Sequence, residues 1–213
     1  MAEKLAPLDV LEWNPIESDR FWEEIAPNGH VVQIYDNDND LLDLLECYVC
    51  GGIEANDCVI LLATKSHLTS LEGRLQIRGY SIERYIARNQ YFPMDAELFL
   101  QKFMVDGMPD EFLFMESVTA ILGKARENHR NVRAFGEMVS LLWSSGNQEA
   151  TARLENLWNL FCKNNNLSLF CAYPKSSLSE SHSSSVMELC CSHTQIITSN
   201  QLSRTELFYK NIV

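Results

Sequence analysis

The sequence predicts a three-layer α/β domain with a mostly parallel sheet and helices on both faces. Three observations predict it. Short apolar runs alternate with segments whose apolar residues recur at helical spacing, the pattern of successive βαβ units. The run Cys58-Val59-Ile60-Leu61-Leu62-Ala63 is apolar without a break, as a strand covered on both faces must be. No internal repeat and no interdomain linker divides the 213 residues, a length that one large domain accommodates.

Taken in order, residues 1–28 carry Pro7, Pro15 and Pro27 and read as an extension packed on the domain, with one short helix around 18–25. Residues 31–35 form the first strand and 36–40 a polar turn. A helix over 41–53 follows, with Leu41, Leu44, Leu45 and Tyr48 on one face and Gly51 and Gly52 at its end. Residues 58–64 are the second strand. Ser66 is then the expected N-cap of a helix that buries Leu68, Leu71 and Leu75 and stops at Gly79. A weaker strand is expected over 80–87, and a helix capped by Asp95 runs to Met104 before Gly107-Met108-Pro109 breaks the pattern. Residues 110–128 are helical, with Phe114, Val118, Ile121, Leu122 and Ala125 inward. A strand over 132–138, a helix over 148–164 and a strand over 167–173 complete the alternation, and Pro174 ends the last. The serine-rich stretch 175–185 reads as a loop, 186–191 as a short helix, 195–198 as an edge strand and 201–213 as a helical tail. The domain proper therefore covers 29–200.

Composition narrows the function. The net charge of −12 disfavours a phosphate backbone, whose binding comes largely from Lys and Arg, and equally an anionic membrane surface. The apolar runs are far too short to span a bilayer, and residues 1–7 lack the pattern of a secretory signal, so a cytoplasmic protein is expected. Seven cysteines, an odd number and several of them inside apolar runs, suit buried free thiols better than a disulfide framework.

The first strand, turn and helix are where folds of this layout grip phosphate. That requires glycines, a lysine and a hydroxyl at the helix start. Here the stretch is Tyr35-Asp36-Asn37-Asp38-Asn39-Asp40-Leu41, with no glycine, no lysine and three carboxylates. Asp36, Asp38 and Asp40 match the first ligand positions of a calcium loop. The required Gly and Glu are replaced by Leu41 and Cys47, which favours a solvated turn and helix cap. Cys47-Tyr48-Val49-Cys50 is a lone CxxC inside a helix. Cys190, Cys191 and His193, with His182 nearby, could supply the second pair a metal needs, and packed thiols are the simpler reading.

Arg133-Ala134-Phe135-Gly136-Glu137-Met138 is the most informative polar stretch. Glu137 lies at the carboxyl end of a buried strand, where open α/β sheets bind ligands, and a buried carboxylate there is either paired or functional. Tyr35 and Tyr173 end their own strands at the same sheet edge, whereas His30 begins the first strand at the opposite end. No G-x-S-x-G, H-E-x-x-H or G-x-G-x-x-G stretch is present.

Gly29-His30-Val31-Val32-Gln33-Ile34-Tyr35-Asp36, residues 57–64, Gly107-Met108-Pro109-Asp110, residues 132–138, Leu154-Glu155-Asn156-Leu157-Trp158-Asn159, residues 167–174 and Cys191-Ser192-His193 come in an order and spacing that resemble the MEDS domain, the methanogen/methylotroph, DcmR-type sensory domain. The resemblance covers about residues 28–200. It implies a RecA/KaiC-like, P-loop-NTPase-like fold that has lost its phosphate loop, and a sensing role in prokaryotic signalling, often beside histidine-kinase, PAS or DNA-binding modules. No such module accompanies the domain in these residues.

The expectation is therefore a non-catalytic sensory domain that binds a small molecule or a signalling partner such as a histidine kinase. Tyr35, Glu137 and Tyr173 line its site, with His30 and Arg133 as further candidates. No cofactor, metal, catalytic residue, nucleic acid or membrane is expected, and a homodimer stays open. The alternatives are a degenerate ATPase that still binds nucleotide and a docking inhibitor of a kinase.

Overall fold

The polar caps and apolar stripes of the sequence set the helices, and the alternation of buried residues sets the sheet. The computed structural model describes residues 10–11, 29–127, 131–178, 193, 195–200 and 204–208. Its strands are β1 (Val10–Leu11), β2 (His30–Tyr35), β3 (Cys58–Ala63), β4 (Tyr91–Asp95), β5 (Met104–Val105), β6 (Met108–Pro109), β7 (Val132–Gly136), β8 (Ser168–Pro174), β9 (Gln195–Asn200) and β10 (Arg204–Phe208). Its helices are α1 (Asp38–Glu54), α2 (Lys65–Ile77), α3 (Ile82–Ala87), α4 (Ala96–Leu100), α5 (Glu111–Ala125), α6 (Met138–Ser144) and α7 (Gln148–Asn165).

Among the described residues the main sheet runs β1-β10-β9-β2-β8-β7-β3-β4. All pairings from β9 to β4 are parallel, and β10 and β1 add antiparallel strands at one side. Val31, Tyr35, Val59, Leu61, Phe135 and Phe170 pack with α1, α2 and α3 on one face. Val32, Ile60, Leu62, Ala134, Leu169 and Tyr173 pack with α4 to α7 on the other. This is the three-layer, mostly parallel architecture that the sequence predicts. The second core is rich in aromatic rings, with Phe114 edge-on to Phe103 at 5.3 Å and to Trp158 at 5.0 Å.

The connection from β2 to α1 is only Asp36 and Asn37. The Asn37 side-chain oxygen accepts the N–H groups of Asn39 (3.0 Å) and Asp40 (3.3 Å), so the helix starts at once. Asp38 and Asp40 in its first turn complement the helix dipole. The helix does not stop at Gly51 and Gly52 but continues to Glu54. At Gly52 a Cβ would lie 2.5 Å from Val59 Cγ2 and 2.9 Å from Arg133 Cδ. The missing side chain thus seats α1 on β3 and β7 rather than ending it.

Several expectations are corrected. Thr64, not Ser66, caps α2, accepting the His67 N–H on its hydroxyl at 3.4 Å. Most of the expected strand over 80–87 is instead helix α3, a short helix that buries Ile82. The strand lies further on, at β4. It is an outer strand that pairs with β3 alone, so Pro93 removes no needed donor. The helix capped by Asp95 ends at Leu100. The following residues form the hairpin β5–β6, whose turn residues Asp106 and Gly107 both take positive φ (50° and 80°). Strand β7 ends at Gly136, and α6 begins after Glu137. Strand β9 is not an edge, since it pairs with β2 and with β10. Part of the expected helical tail is strand β10, which together with β1 covers the open side of β9. Apart from the pairing of Val10 and Leu11, the N-terminal extension, including the helix expected around 18–25, lies outside the described residues, as does the helix expected over 186–191.

Candidate functional site

A crevice opens in a parallel sheet where neighbouring strands send their following helices to opposite faces. One such point lies between β3 and β7. From β3 the chain passes into α2 on one face, and from β7 into α6 on the other. Glu137 sits at the carboxyl end of β7, and its backbone N–H donates to Leu62 O at 2.9 Å, extending the β3–β7 pairing. Its side chain is buried and reaches from the end of β7 to the start of α2. Oε2 accepts the Thr64 N–H at 2.8 Å, an otherwise unused donor at the start of α2, and Oε1 meets His67 Nδ1 at 2.8 Å.

His67 in turn presents Nε2 to Asp38 Oδ1 at 3.6 Å, from the first turn of α1. The imidazole therefore lies between two carboxylates, one buried and one mostly exposed. A neutral ring has one N–H and can serve only one of them; the imidazolium serves both. The hydrogen bond to Glu137 is the main reason the His67 pKa is raised above its ordinary value, burial works against it, and Asp38 adds to the rise. Tyr35 closes the group from the end of β2. Burial pushes its phenol up, and the charges of Glu137 and Asp38 push it further. Tyr35, Asp38, Thr64, His67 and Glu137 thus form one polar cluster at the carboxyl edge.

The other carboxylates of the first turn have partners of their own. Asp36 accepts from Lys175 Nζ at 2.9 Å, and Asp40 accepts from Asn37 Nδ2 at 2.9 Å. On α1, Cys50 is buried and its thiol is pushed up to about 11, chiefly by burial, which is the reverse of an activated cysteine.

The sheet divides the five residues singled out from the sequence. In the parallel register Tyr173 pairs with Ile34 and not with Tyr35, so the two tyrosines point to opposite faces although both reach the same edge. Tyr173 faces α7, where its hydroxyl donates to Glu155 Oε1 at 2.6 Å. His30 lies on that same face, its Nδ1 2.9 Å from Asn159 Oδ1 and its Nε2 3.3 Å from Cys171 Sγ. Arg133 shares the face of Glu137 but sits four residues earlier on β7, roughly 13 Å away at strand rise. Its guanidinium forms a buried ion pair with Asp57 and lies 5.6 Å from the centre of the Tyr48 ring. Tyr35 and Glu137 are therefore brought together, Tyr173 and His30 form a second group, and Arg133 joins neither.

Asp38 and His67 were missed by sequence reasoning. His67 falls three residues after a helix cap, and only the strand order shows that this helix start faces Glu137. Glu155 was missed too, though Thr151, Glu155 and Asn159 form a polar i, i+4 series beside the apolar stripe of α7, which is a readable signal.

These features define an α/β protein with helices on both sides of a parallel sheet and a polar cluster at its carboxyl edge. The family model for MEDS, the methanogen/methylotroph, DcmR sensory domain, matches residues 29–194, and the chain belongs to that family. A sensory, signalling role follows from the membership. Among solved structures, an uncharacterized protein from Pyrococcus horikoshii, crystallised in complex with an unknown peptide, is similar. It has a TM-score of 0.63 and 11% identity over 93% of this chain and 90% of that one. A second Pyrococcus horikoshii OT3 protein, known from a structural study, has a TM-score of 0.57 and 12% identity, covering 88% and 89% of the two chains. At these identities the likeness concerns the fold alone. Curated proteins contain no significant match to the sequence. No helix among the described residues is long and apolar enough to cross a membrane.

Proposed function

We propose that the chain is a non-catalytic sensory domain whose signal is a small molecule or signalling partner docking at the crevice formed by Tyr35, Asp38, His67 and Glu137. The observation that carries this reading is the Asp38–His67–Glu137 series at the switch point between β3 and β7, with its two contacts of 3.6 and 2.8 Å. It joins the first turns of α1 and α2 to the start of α6, so a ligand that engages it acts on three helices at once. The aliphatic hydroxyl of the cluster, Thr64 Oγ1, is engaged with the His67 N–H and Ser66, which supports the non-catalytic reading.

The cluster carries two carboxylates and one histidine, so it favours hydrogen-bond donors and cations and disfavours phosphate. The two-residue turn from β2 to α1 also leaves no loop to wrap a triphosphate. In this reading the fold is a RecA/KaiC-like frame without its phosphate loop, at work in a prokaryotic signalling pathway in the cytoplasm beside a histidine kinase or a similar partner. The peptide on one structural neighbour supports including peptides among the probes.

Calorimetric titration with a panel of small alcohols, amines and short peptides, and with magnesium-ATP, tests the proposal. At least one alcohol, amine or peptide should bind, and bind ten-fold or more weakly to Glu137→Gln and Tyr35→Phe. Micromolar binding of magnesium-ATP would favour a degenerate ATPase instead. A ligand whose affinity ignores both substitutions would remove the site from consideration.

A further inference from the structure

On the sheet face opposite the crevice, four side chains from four parts of the chain converge in a fully buried pocket. His30 comes from β2, Glu155 from α7, Cys171 from β8 and His193 from just before β9. Their ligand atoms all lie within 4.8 Å of one another. His30 Nε2 is 3.3 Å from Cys171 Sγ and 3.5 Å from Glu155 Oε2, and His193 Nε2 is 3.6 Å from the same Oε2. The two imidazole rings stand 4.1 Å apart.

The 3.5 and 3.6 Å spacings are too long for strong hydrogen bonds between nitrogen and carboxylate, and with the 3.3 Å contact they match the edge of a coordination tetrahedron. Bonds of about 2.0–2.3 Å to nitrogen, oxygen and sulfur place neighbouring donors roughly 3.3–3.7 Å apart. The surrounding groups orient the donors as an outer shell would. Asn159 Oδ1 takes the proton on His30 Nδ1, which turns the Nε2 lone pair inward. The Tyr173 hydroxyl holds Glu155 Oε1, which turns Oε2 inward. Among the described residues Oε2 accepts no hydrogen bond, although Glu155 is only 3% exposed. An unsatisfied, buried carboxylate oxygen aimed at two imidazoles and a thiol is costly unless something binds there.

We infer that His30, Glu155, Cys171 and His193 form a closed, four-coordinate site for a divalent transition metal of the zinc class. A thiolate with imidazoles selects zinc-like ions over magnesium or calcium, and one thiolate with one carboxylate neutralises a dication. Because the thiolate is the metal ligand, binding displaces the Cys171 thiol proton. The four ligands would tie β2, β8, α7 and the approach to β9 together. Cys47 and Cys50 lie on α1, across the sheet, and take no part.

The test is titration of chelator-treated full chain with Co(II) and then zinc. One equivalent of Co(II) should give a thiolate charge-transfer band with intense tetrahedral visible bands and release protons as it binds, and zinc should then displace it with no further proton release. Both bands should survive in the Cys47→Ser/Cys50→Ser double variant and be lost in Cys171→Ser. Tyr173→Phe should weaken zinc binding about 10- to 100-fold, the usual effect of losing an outer-shell partner. In case Cys171→Ser does not fold, X-ray absorption of the zinc-loaded wild-type chain gives an independent reading. One sulfur and three nitrogen or oxygen neighbours are expected. Two or more sulfurs, bands that depend on Cys47 and Cys50, or no binding at stoichiometric metal would each overturn the assignment.

Discussion

Replacing Gly52 by alanine sets helix propensity against packing, and the structure says which wins. In the interior of a helix the exchange should stabilise, by roughly 1 kcal/mol. Gly73 in α2 and Gly123 in α5 are set for that gain, because nothing lies within 4 Å of the position a Cβ would take. At Gly52 the new methyl would meet Val59 Cγ2 at 2.5 Å and Arg133 Cδ at 2.9 Å. Neither neighbour yields easily: Val59 is fully buried in β3, and Arg133 is held in its ion pair with Asp57. Overpacking of this kind costs about 1–3 kcal/mol, and displacing the guanidinium from its carboxylate adds to that. The net expectation is a loss of about 1–2 kcal/mol for Gly52→Ala, or roughly 2–8 °C in Tm for a chain of this size. Gly73→Ala and Gly123→Ala should each shift Tm upward by a few degrees. Calorimetry on the three variants provides the comparison. A Gly52→Ala protein as stable as Gly73→Ala would show that α1 does not lie against β3 and β7 as described.

Three further expectations concern charge and capping. Arg133→Met should destabilise by about 3–5 kcal/mol, because it leaves Asp57 unpaired in a buried position; urea unfolding measures this, and a loss below 1 kcal/mol would argue against a structural role for Arg133. His67 is expected to contribute most at low pH. Its folded pKa is raised above the ordinary 6.5, so its stabilisation is complete below that value and is lost as pH rises through the folded pKa. The stability gap between wild type and His67→Gln, about 2 kcal/mol for a charge-assisted hydrogen bond, should therefore shrink with rising pH in urea titrations; a gap that widens would reverse the assignment. Asn147→Ala removes both the cap to the Ala150 N–H (3.1 Å) and the bond to Gly107 O (2.7 Å) that ties the β5–β6 turn to α7. It should cost about 1–2 kcal/mol, with faster amide exchange in the hairpin as the local signature.

The layered fold was legible because burial leaves its trace in composition. The unbroken run 58–63 could only be a strand covered twice, and the stripes of α5 and α7 repeat at 3.6 residues. Short elements were harder. In α3 a single turn carries one buried residue, Ile82, and so offers little periodicity to read. The site was half legible for a more specific reason. That Tyr35, Glu137 and Tyr173 end their strands is a one-dimensional fact, and it places all three at one edge. Which face each side chain takes depends on register, a property of strand pairs. The offset that pairs Tyr173 with Ile34 sends one tyrosine to the crevice and the other to the buried pocket. His67 needed more still, since β3 and β7 are neighbours in space but about seventy residues apart in the chain.

The same register explains why one sheet carries two polar groups without mixing them. Along β2 the residues alternate between faces, with His30 and Val32 toward α7 and Val31 and Tyr35 toward α1. The crevice group is reached by solvent through Asp38, and its histidine is raised in pKa by carboxylate partners. The opposite group is sealed, and burial together with His193 lowers the pKa of His30 to about 4. Two histidines in one domain are thus driven in opposite directions by their surroundings. His67 is suited to carry charge and respond to what approaches the edge, whereas His30 is suited to stay neutral and offer a lone pair inward. That difference makes the crevice the place to look for the sensed signal, and the sealed pocket the place to look for a bound ion.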